Sequence, residues 1–432
     1  TPQKGNPLGR ATDRLSPARA ERTGDVQPER VVILNDASVA RGGATALALL
    51  SARLLAGRGL DVTYVCGDSG AAPELADAGV EIRALGATRL GQAGRRAALS
   101  ALWNGAARDL VARTVAERDG PGTVYHVHGW AQILSPAVFA ALGPVARRTV
   151  VHAHDLFLAC PNGAYMDFPR GKTCGRVPLS GSCLLTNCDK RSYAQKGWRV
   201  ARHAGLRRVF GRGDWAAVAM IHPAMAERLV RGGIPEHALA TVRNPAEPFG
   251  PARIRAEEND GVVFVGRLEP EKGVIHLAEA AQAAGMPLTL VGDGPLRAEI
   301  AARFPEARLP GWCAKDQIAR HAAGARVLVM PTLVPEPFGL VAAEASLSGL
   351  PVVLADSALM AAEVAARGLG FTYPAGDGAA LSRVLASVRD MAPGTIRAMS
   401  ERGHARVAPL SETPEGWIDR MLGLYAAASG LP

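Results

Sequence analysis

Residues 262–291 read VVFVGRLEPEKGVIHLAEAAQAAGMPLTLV, and this stretch decides the fold. Val262–Val265 is apolar without alternation, the pattern of a strand buried on both faces. Gly266 ends the run. A polar turn closes on Lys272–Gly273, and apolar residues at helical spacing predict a helix near Val274–Ala284. A second apolar run, Leu288–Val291, follows. Strand, helix and strand in so short a span make a βαβ unit, whose parallel strands need a helix over each face.

The same order recurs on either side. Val31–Leu34 leads through Gly42–Gly43 into ATALALLSARLLAGRG (44–59), and Asp61–Cys66 is the next strand. Further strands are expected at Val124–Val127, Thr149–Ala153 and Ala216–Ile221. Beyond a Pro-rich bridge, Asn244–Pro251, the order restarts and adds Val327–Met330 and Val352–Leu354. The expected fold class is therefore α/β: two doubly wound, Rossmann-like parallel-sheet domains facing across a cleft. Residues 1–29 read as a flexible tail, 30–243 as the N-terminal domain, 244–410 as the C-terminal domain and 411–432 as a last helix. Trp417, Ile418, Met421, Leu422 and Tyr425 share one face of that helix, which marks it as a docking helix.

Composition narrows the function. The 432 residues are 48% hydrophobic and 21% charged, enough to build full cores, which excludes a largely disordered chain. The net charge of +9 favours phosphate-bearing partners, while only 5% aromatic residues argue against single-stranded nucleic acid. No apolar run approaches the ~18–20 residues of a spanning helix. The first residues carry no apolar run of the secretory kind, and six cysteines suit a reducing compartment, so a cytoplasmic location is expected.

Three motifs sit at expected strand ends. In PEPFGLVAAEA (335–345), Glu336 precedes a helix and Glu344 lies eight positions on, inside it. The backbone N–H groups of Phe338, Gly339 and Leu340 would face the cleft, where a helix start favours anions. A carboxylate one turn into that helix, Glu344, is placed to accept ribose-type hydroxyls, and Glu336 to hold a second polyol. Alone, such a pair is more often a cap and a solvated side chain. In the second motif Arg267 and Lys272 follow Gly266, two cations suited to a diphosphate, or equally to their neighbours Glu269 and Glu271. The third, LVGDGP, brings Gly292 and Gly294 to a strand end, where a backbone approaches a ligand closely. Metal-binding Asp-x-Asp, G-x-S-x-G and H-E-x-x-H patterns do not occur.

Together these motifs resemble glycosyltransferase family 4, retaining enzymes of the GT-B fold, from Val31 to the last helix. The resemblance implies that Glu336 and Glu344 are the family's paired acids, that Arg267 and Lys272 bind the diphosphate, and that Gly42–Gly43 approach the donor phosphate. It implies that His154, in VVHAHD, faces the reacting sugar, with Asp155 beside it on the acceptor side. Asn244–Pro245 matches the interdomain turn, and the last helix is expected to cross back to the N-terminal domain. His128, in HVHGW, is a second acceptor-side candidate, although a lone histidine is more often structural. The implied activity is transfer of a sugar from a nucleotide-diphosphate sugar, UDP-sugar first and GDP-sugar next, without a catalytic metal. The expected acceptor is a glycan or lipid-linked molecule in bacterial surface or exopolysaccharide synthesis. The alternatives are a soluble glycosyltransferase on a small acceptor or glucan, and a non-catalytic nucleotide-sugar-binding protein.

Two further features remain. Cys160, Cys174, Cys183 and Cys188 fall in a Gly/Pro-rich insert (160–188): four thiols could hold a structural zinc ion, but without a C-x-x-C spacing, and free thiols or a disulfide are the alternatives. Between Lys190 and Arg212 eight Lys/Arg occur without an acid, with Tyr193, Trp198 and Phe210 interleaved. That pattern suits an anionic membrane surface, making the protein peripheral on the inner face, or else a solvated helix.

Overall fold

The computed structural model describes residues 27–40, 42–88 and 101–429. The expected tail, apart from 27–29, lies outside the described residues. Strands β1 (Arg30–Asn35), β2 (Asp61–Cys66), β3 (Glu81–Ala84), β4 (Thr123–Val127) and β5 (Thr149–Ala153) are followed by a small hairpin, β6 (Met166–Asp167) and β7 (Lys172–Thr173). After β8 (Ala217–Met220) and β9 (Leu239–Thr241) come β10 (Gly261–Val265), β11 (Leu288–Val291), β12 (Arg308–Gly311), β13 (Ala325–Met330), β14 (Val352–Ala355) and β15 (Gly370–Tyr373). The first sheet runs β3-β2-β1-β4-β5-β8-β9 and the second β12-β11-β10-β13-β14-β15, with parallel pairing throughout. These are the two parallel α/β sheets that the apolar runs predict.

The helices that position the site are α1 (Gly43–Gly57), α2 (Tyr193–Phe210), α3 (Val274–Ala283), α4 (Leu340–Leu347) and α5 (Pro414–Ser429). Alternation along β1 sends Val31 and Ile33 to one face and Val32 and Leu34 to the other, and each face enters its own core. The Val31/Ile33 face is covered by α1 and α5: Trp417, Ile418, Met421, Leu422, Leu424 and Tyr425 are all buried there. The last helix thus belongs to the N-terminal core although it follows the second sheet in sequence.

The chain crosses between the sheets twice, and the two crossings are tied together. Ala246 N–H donates to the Glu412 carbonyl at 3.1 Å and Glu412 N–H to the Asn244 carbonyl at 3.2 Å, so the Asn244–Pro245 turn is paired with the approach to α5. Beside it Glu363 binds both His222 and Arg243. Burial alone would raise the Glu363 carboxyl, but these partners hold it down to about 2.

Among the described residues no helix is long and apolar enough to cross a membrane. Trp417, fully buried between the sheet and α1, is the largest side chain in the α5 seam. Trp417→Ala is expected to cost about 3–5 kcal/mol. Chemical denaturation followed by tryptophan fluorescence and circular dichroism measures it.

Candidate functional site

Two glycines shape the centre of the site. Gly273 has φ +68° and caps α3, and a β-carbon there would lie 2.0 Å from the Pro331 carbonyl oxygen. Only glycine lets the loop after β10 approach the loop after β13 this closely. Leu333 N–H then donates to the Glu271 carbonyl at 2.9 Å and fastens the two loops. The result is direct contact between Lys272 Nζ and Glu336 Oε2 at 2.5 Å, both side chains about one quarter exposed. Glu336 is itself held through its carbonyl, which accepts from Leu359 N–H at 3.0 Å.

Gly339, at φ +70°, caps α4 without a side-chain bond, so the first N–H groups of that helix remain available. The helix begins at Leu340. Phe338 is buried just before it rather than forming its first turn. Glu344 lies one turn in and is half-buried. Burial pushes its carboxyl up to about 7, opposed by the charge of Lys315 and assisted by that of Glu247.

Across from α4 stands the start of α1. Gly42 is its N-cap, again without a side-chain bond, and a β-carbon on Gly42 would meet nothing within 4 Å. A β-carbon on Gly43 would lie 2.9 Å from Leu340 Cδ1. The capless starts of α1 and α4 therefore meet across the gap between the domains.

Not every expected residue joins this group. Arg267 leaves the same strand end as Gly266, yet its side chain is 75% exposed and pairs with Glu269. Gly292 and Gly294 have a reason within the protein: β-carbons there would lie 1.8 Å from the Gly266 carbonyl oxygen and 2.5 Å from that of Leu268. The close approach that these glycines permit is between the loops after β10 and β11.

On the N-terminal side, His128 and His154 touch, Nδ1 to Nε2, at 2.9 Å. His154 is half-buried and its pKa falls to about 3 through burial. Asp155 is reached by solvent but walled in by protein, which pushes its carboxyl up to about 6, while a bond from Phe157 N–H (2.8 Å) works the other way. Behind His128 lie His126 and His152, and Tyr425 from α5 reaches His126 Nδ1 at 2.6 Å. The sequence places Tyr425 only on the docking face of the last helix and does not single out His126. The signal was present in the two H-x-H patterns, 126/128 and 152/154, on strands that pair side by side.

The cysteine insert takes a different form from a zinc site. Cys160, Cys183 and Cys188 are buried, but the buried Lys196 lies among them, its Nζ 2.9 Å from Cys188 Sγ and 3.7 Å from Cys183 Sγ. Asn162 bridges Cys160 (3.2 Å) and Cys188 (3.6 Å). Among the described residues, no three of these thiols bring their sulfurs within 4.8 Å of one another. An ammonium group sits where a shared cation would. The basic stretch is divided: Lys196 and Arg202 are buried, Arg199 pairs with Asp189, Arg207 binds the Gly232 carbonyl and Lys190 pairs with Glu271, while Arg191, Arg208 and Arg212 are exposed. Residues 190 and 191 and the β6–β7 hairpin face Pro270, Glu271, Leu333 and Val334 around a cavity of about 550 Å³ beside the Lys272 loop.

Residues 42–245 match the family model of a glycosyl transferase 4-like domain, and residues 259–390 that of group 1 glycosyl transferases. The chain belongs to the family 4 glycosyltransferases. A GDP-mannose-dependent alpha-mannosyltransferase of Mycobacterium tuberculosis is 38% identical over 96 residues, which is 22% of this chain and spans only a quarter (25%) of that protein. HepE (Alr3699) of Anabaena, solved with UDP, superposes with a TM-score of 0.62 at 19% identity, covering 91% of this chain and 98% of its own. Sucrose-phosphate synthase from Thermosynechococcus elongatus gives 0.65 at 18%, covering 92% and 98%. At these identities the structural likeness is one of fold, and the fold of this glycosyltransferase is GT-B.

Because the Glu344 carboxyl is raised in the folded state, the fold retains a proton that the unfolded chain releases near its ordinary value. The Glu344 contribution to stability should be full below pH ~4.5 and be lost as the pH rises to about 7. Glu344→Gln should remove this decline and be the more stable protein at pH 8. Urea midpoints of both proteins across the pH range measure the difference.

Proposed function

We propose that this glycosyltransferase moves a hexose from a nucleotide-diphosphate sugar to a glycan or lipid-linked acceptor, with retention and without a catalytic metal. The observation that carries the proposal is the Lys272–Glu336 contact beneath the capless start of α4. On arrival of the donor, Lys272 Nζ exchanges Glu336 for the diphosphate, and Glu336 is freed for hydroxyls of the sugar. Glu344 accepts the ribose hydroxyls. The N–H groups at the starts of α1 and α4 face the phosphates. These donors act where negative charge develops on the leaving diphosphate. The acceptor hydroxyl attacks the anomeric carbon on the face the diphosphate leaves, and its proton passes to the departing phosphate oxygen. That path needs no carboxylate nucleophile. His154 orients the sugar, and Asp155 faces the acceptor. Arg267, free to swing inward, supplies a second cation. UDP-sugar is the first candidate donor. The GDP-dependence named for the mannosyltransferase relative makes GDP-sugar its direct competitor.

In transfer assays with UDP- and GDP-hexoses, Lys272→Ala and Glu336→Ala should each lower kcat/KM by about 10²–10³-fold, with unchanged circular dichroism. Unchanged activity in both variants removes the assignment. The product should keep the donor's anomeric configuration by NMR.

The cavity between the β6–β7 hairpin and the Lys272 loop is where we place the acceptor. Exposed Leu184, Leu185 and Tyr193, with Arg191 beside them, adjoin the same insert and would rest on an anionic membrane surface. Co-sedimentation with phosphatidylglycerol vesicles should exceed that with phosphatidylcholine and fall with salt, and Leu185→Asp should weaken it several-fold. Equal and negligible pelleting with both vesicles would mean a soluble acceptor.

A further inference from the structure

Four imidazoles stand together behind the sugar site, three of them in a core that otherwise holds aliphatic and aromatic groups. Strands β4 and β5 pair in parallel with His126 opposite Val150 and Val127 opposite Val151, so His126, His128 and His152 project from one face of the sheet. They are 0%, 4% and 2% exposed. One ring nitrogen from each lies within 4.8 Å of the others. His126 Nε2 is 3.2 Å from His152 Nδ1, and His126 Nδ1 is 3.1 Å from His128 Nε2.

We propose that His126, His128 and His152 bind one divalent transition-metal ion of the zinc class. A tetrahedral ion holding each nitrogen at about 2.0–2.1 Å spaces its ligands by about 3.4 Å, close to the 3.2 Å between His126 Nε2 and His152 Nδ1; the 3.1 Å contact of His128 is to the opposite nitrogen, His126 Nδ1, and is not itself a ligand spacing. Neutral imidazole selects zinc, copper, nickel or iron over the hard cations calcium and magnesium. The outer contacts fit for two of the three ligands; the buried His152 Nε2 has no partner among the described residues. A coordinating histidine commonly donates its second ring N–H to a fixed partner. With Nε2 on the metal, His128 Nδ1–H donates to His154 Nε2, and His126 Nδ1–H donates to the Tyr425 hydroxyl.

The ion does not touch the donor. It joins β4, β5 and, through Tyr425, α5 into one unit, and it fixes the tautomer of His154. Since His154 Nε2 accepts from His128, its proton resides on Nδ1, a buried atom with no partner within the described protein. His128 thereby sets the tautomer of His154 and is a positioning residue rather than a catalytic one. Only this last role rests on the proposed function; metal binding does not.

The test uses the full chain, treated with a chelator and titrated with Zn²⁺ and, separately, Co²⁺. The expected result is one ion per chain by calorimetry and elemental analysis, with a rise in thermal midpoint. The Co²⁺ protein should show visible d–d bands without intense thiolate charge-transfer absorption. His126→Asn and His152→Asn should lose the ion, and Cys183→Ser should keep it. Should the histidine variants not fold, the Co²⁺ spectrum of the unaltered chain decides between nitrogen and sulfur ligands. Absence of stoichiometric uptake, or a thiolate spectrum lost in Cys183→Ser, overturns the proposal and leaves a hydrogen-bonded imidazole chain. A chelated protein that takes up no metal and still transfers sugar overturns the metal site alone. A protein that binds the ion but transfers from neither UDP- nor GDP-hexose overturns the donor reading alone.

Discussion

The site depends on the approach of one backbone to another at Gly273 and Pro331. No side chain fits between them, since a β-carbon would sit 2.0 Å from the carbonyl oxygen. The loops after two adjacent parallel strands, β10 and β13, thereby close on each other, and the cation of one meets the carboxylate of the other. The pair is only partly covered, so solvent screening keeps its own contribution to stability small. Its value is positional: it holds a cation and an acid together at the start of a helix, each satisfied by the other, and the proposed donor would replace that contact.

Around that pair the fold supplies alignment. The two chain crossings hydrogen-bond to each other, and α5 fastens the far end of the chain into the first core. Any motion of one sheet against the other must turn about this doubled connection, with Glu363 gripping His222 and Arg243 beside it. Gly43 against Leu340 marks the opposite limit, where the two helix starts come into contact.

Much of this was legible in the chain. The central strands are buried on both faces, so Val262–Val265 and Leu288–Val291 announce themselves as unbroken apolar runs. The edge strands do not. Glu81–Ala84, Leu239–Thr241 and Arg308–Gly311 are half-covered and carry polar residues, which erases that signal. Glu336, Glu344 and Lys272 were legible because local spacing fixes them relative to a helix start. Which acid Arg267 meets was not, because an exposed side chain takes whichever acid is nearest. Charge in sequence also does not reveal that Lys196 would be buried among thiols, or that Arg202 would stack near Trp130. The histidine cluster depends on the register between β4 and β5, a long-range pairing that no local pattern encodes.

The most direct test of the account is a crystal structure of the chain with a bound nucleoside diphosphate. The account predicts the diphosphate within hydrogen-bond distance of Lys272 Nζ and the backbone N–H groups at the start of α4, with the ribose hydroxyls on Glu344. A nucleotide bound elsewhere, with Lys272 still paired to Glu336, would contradict it.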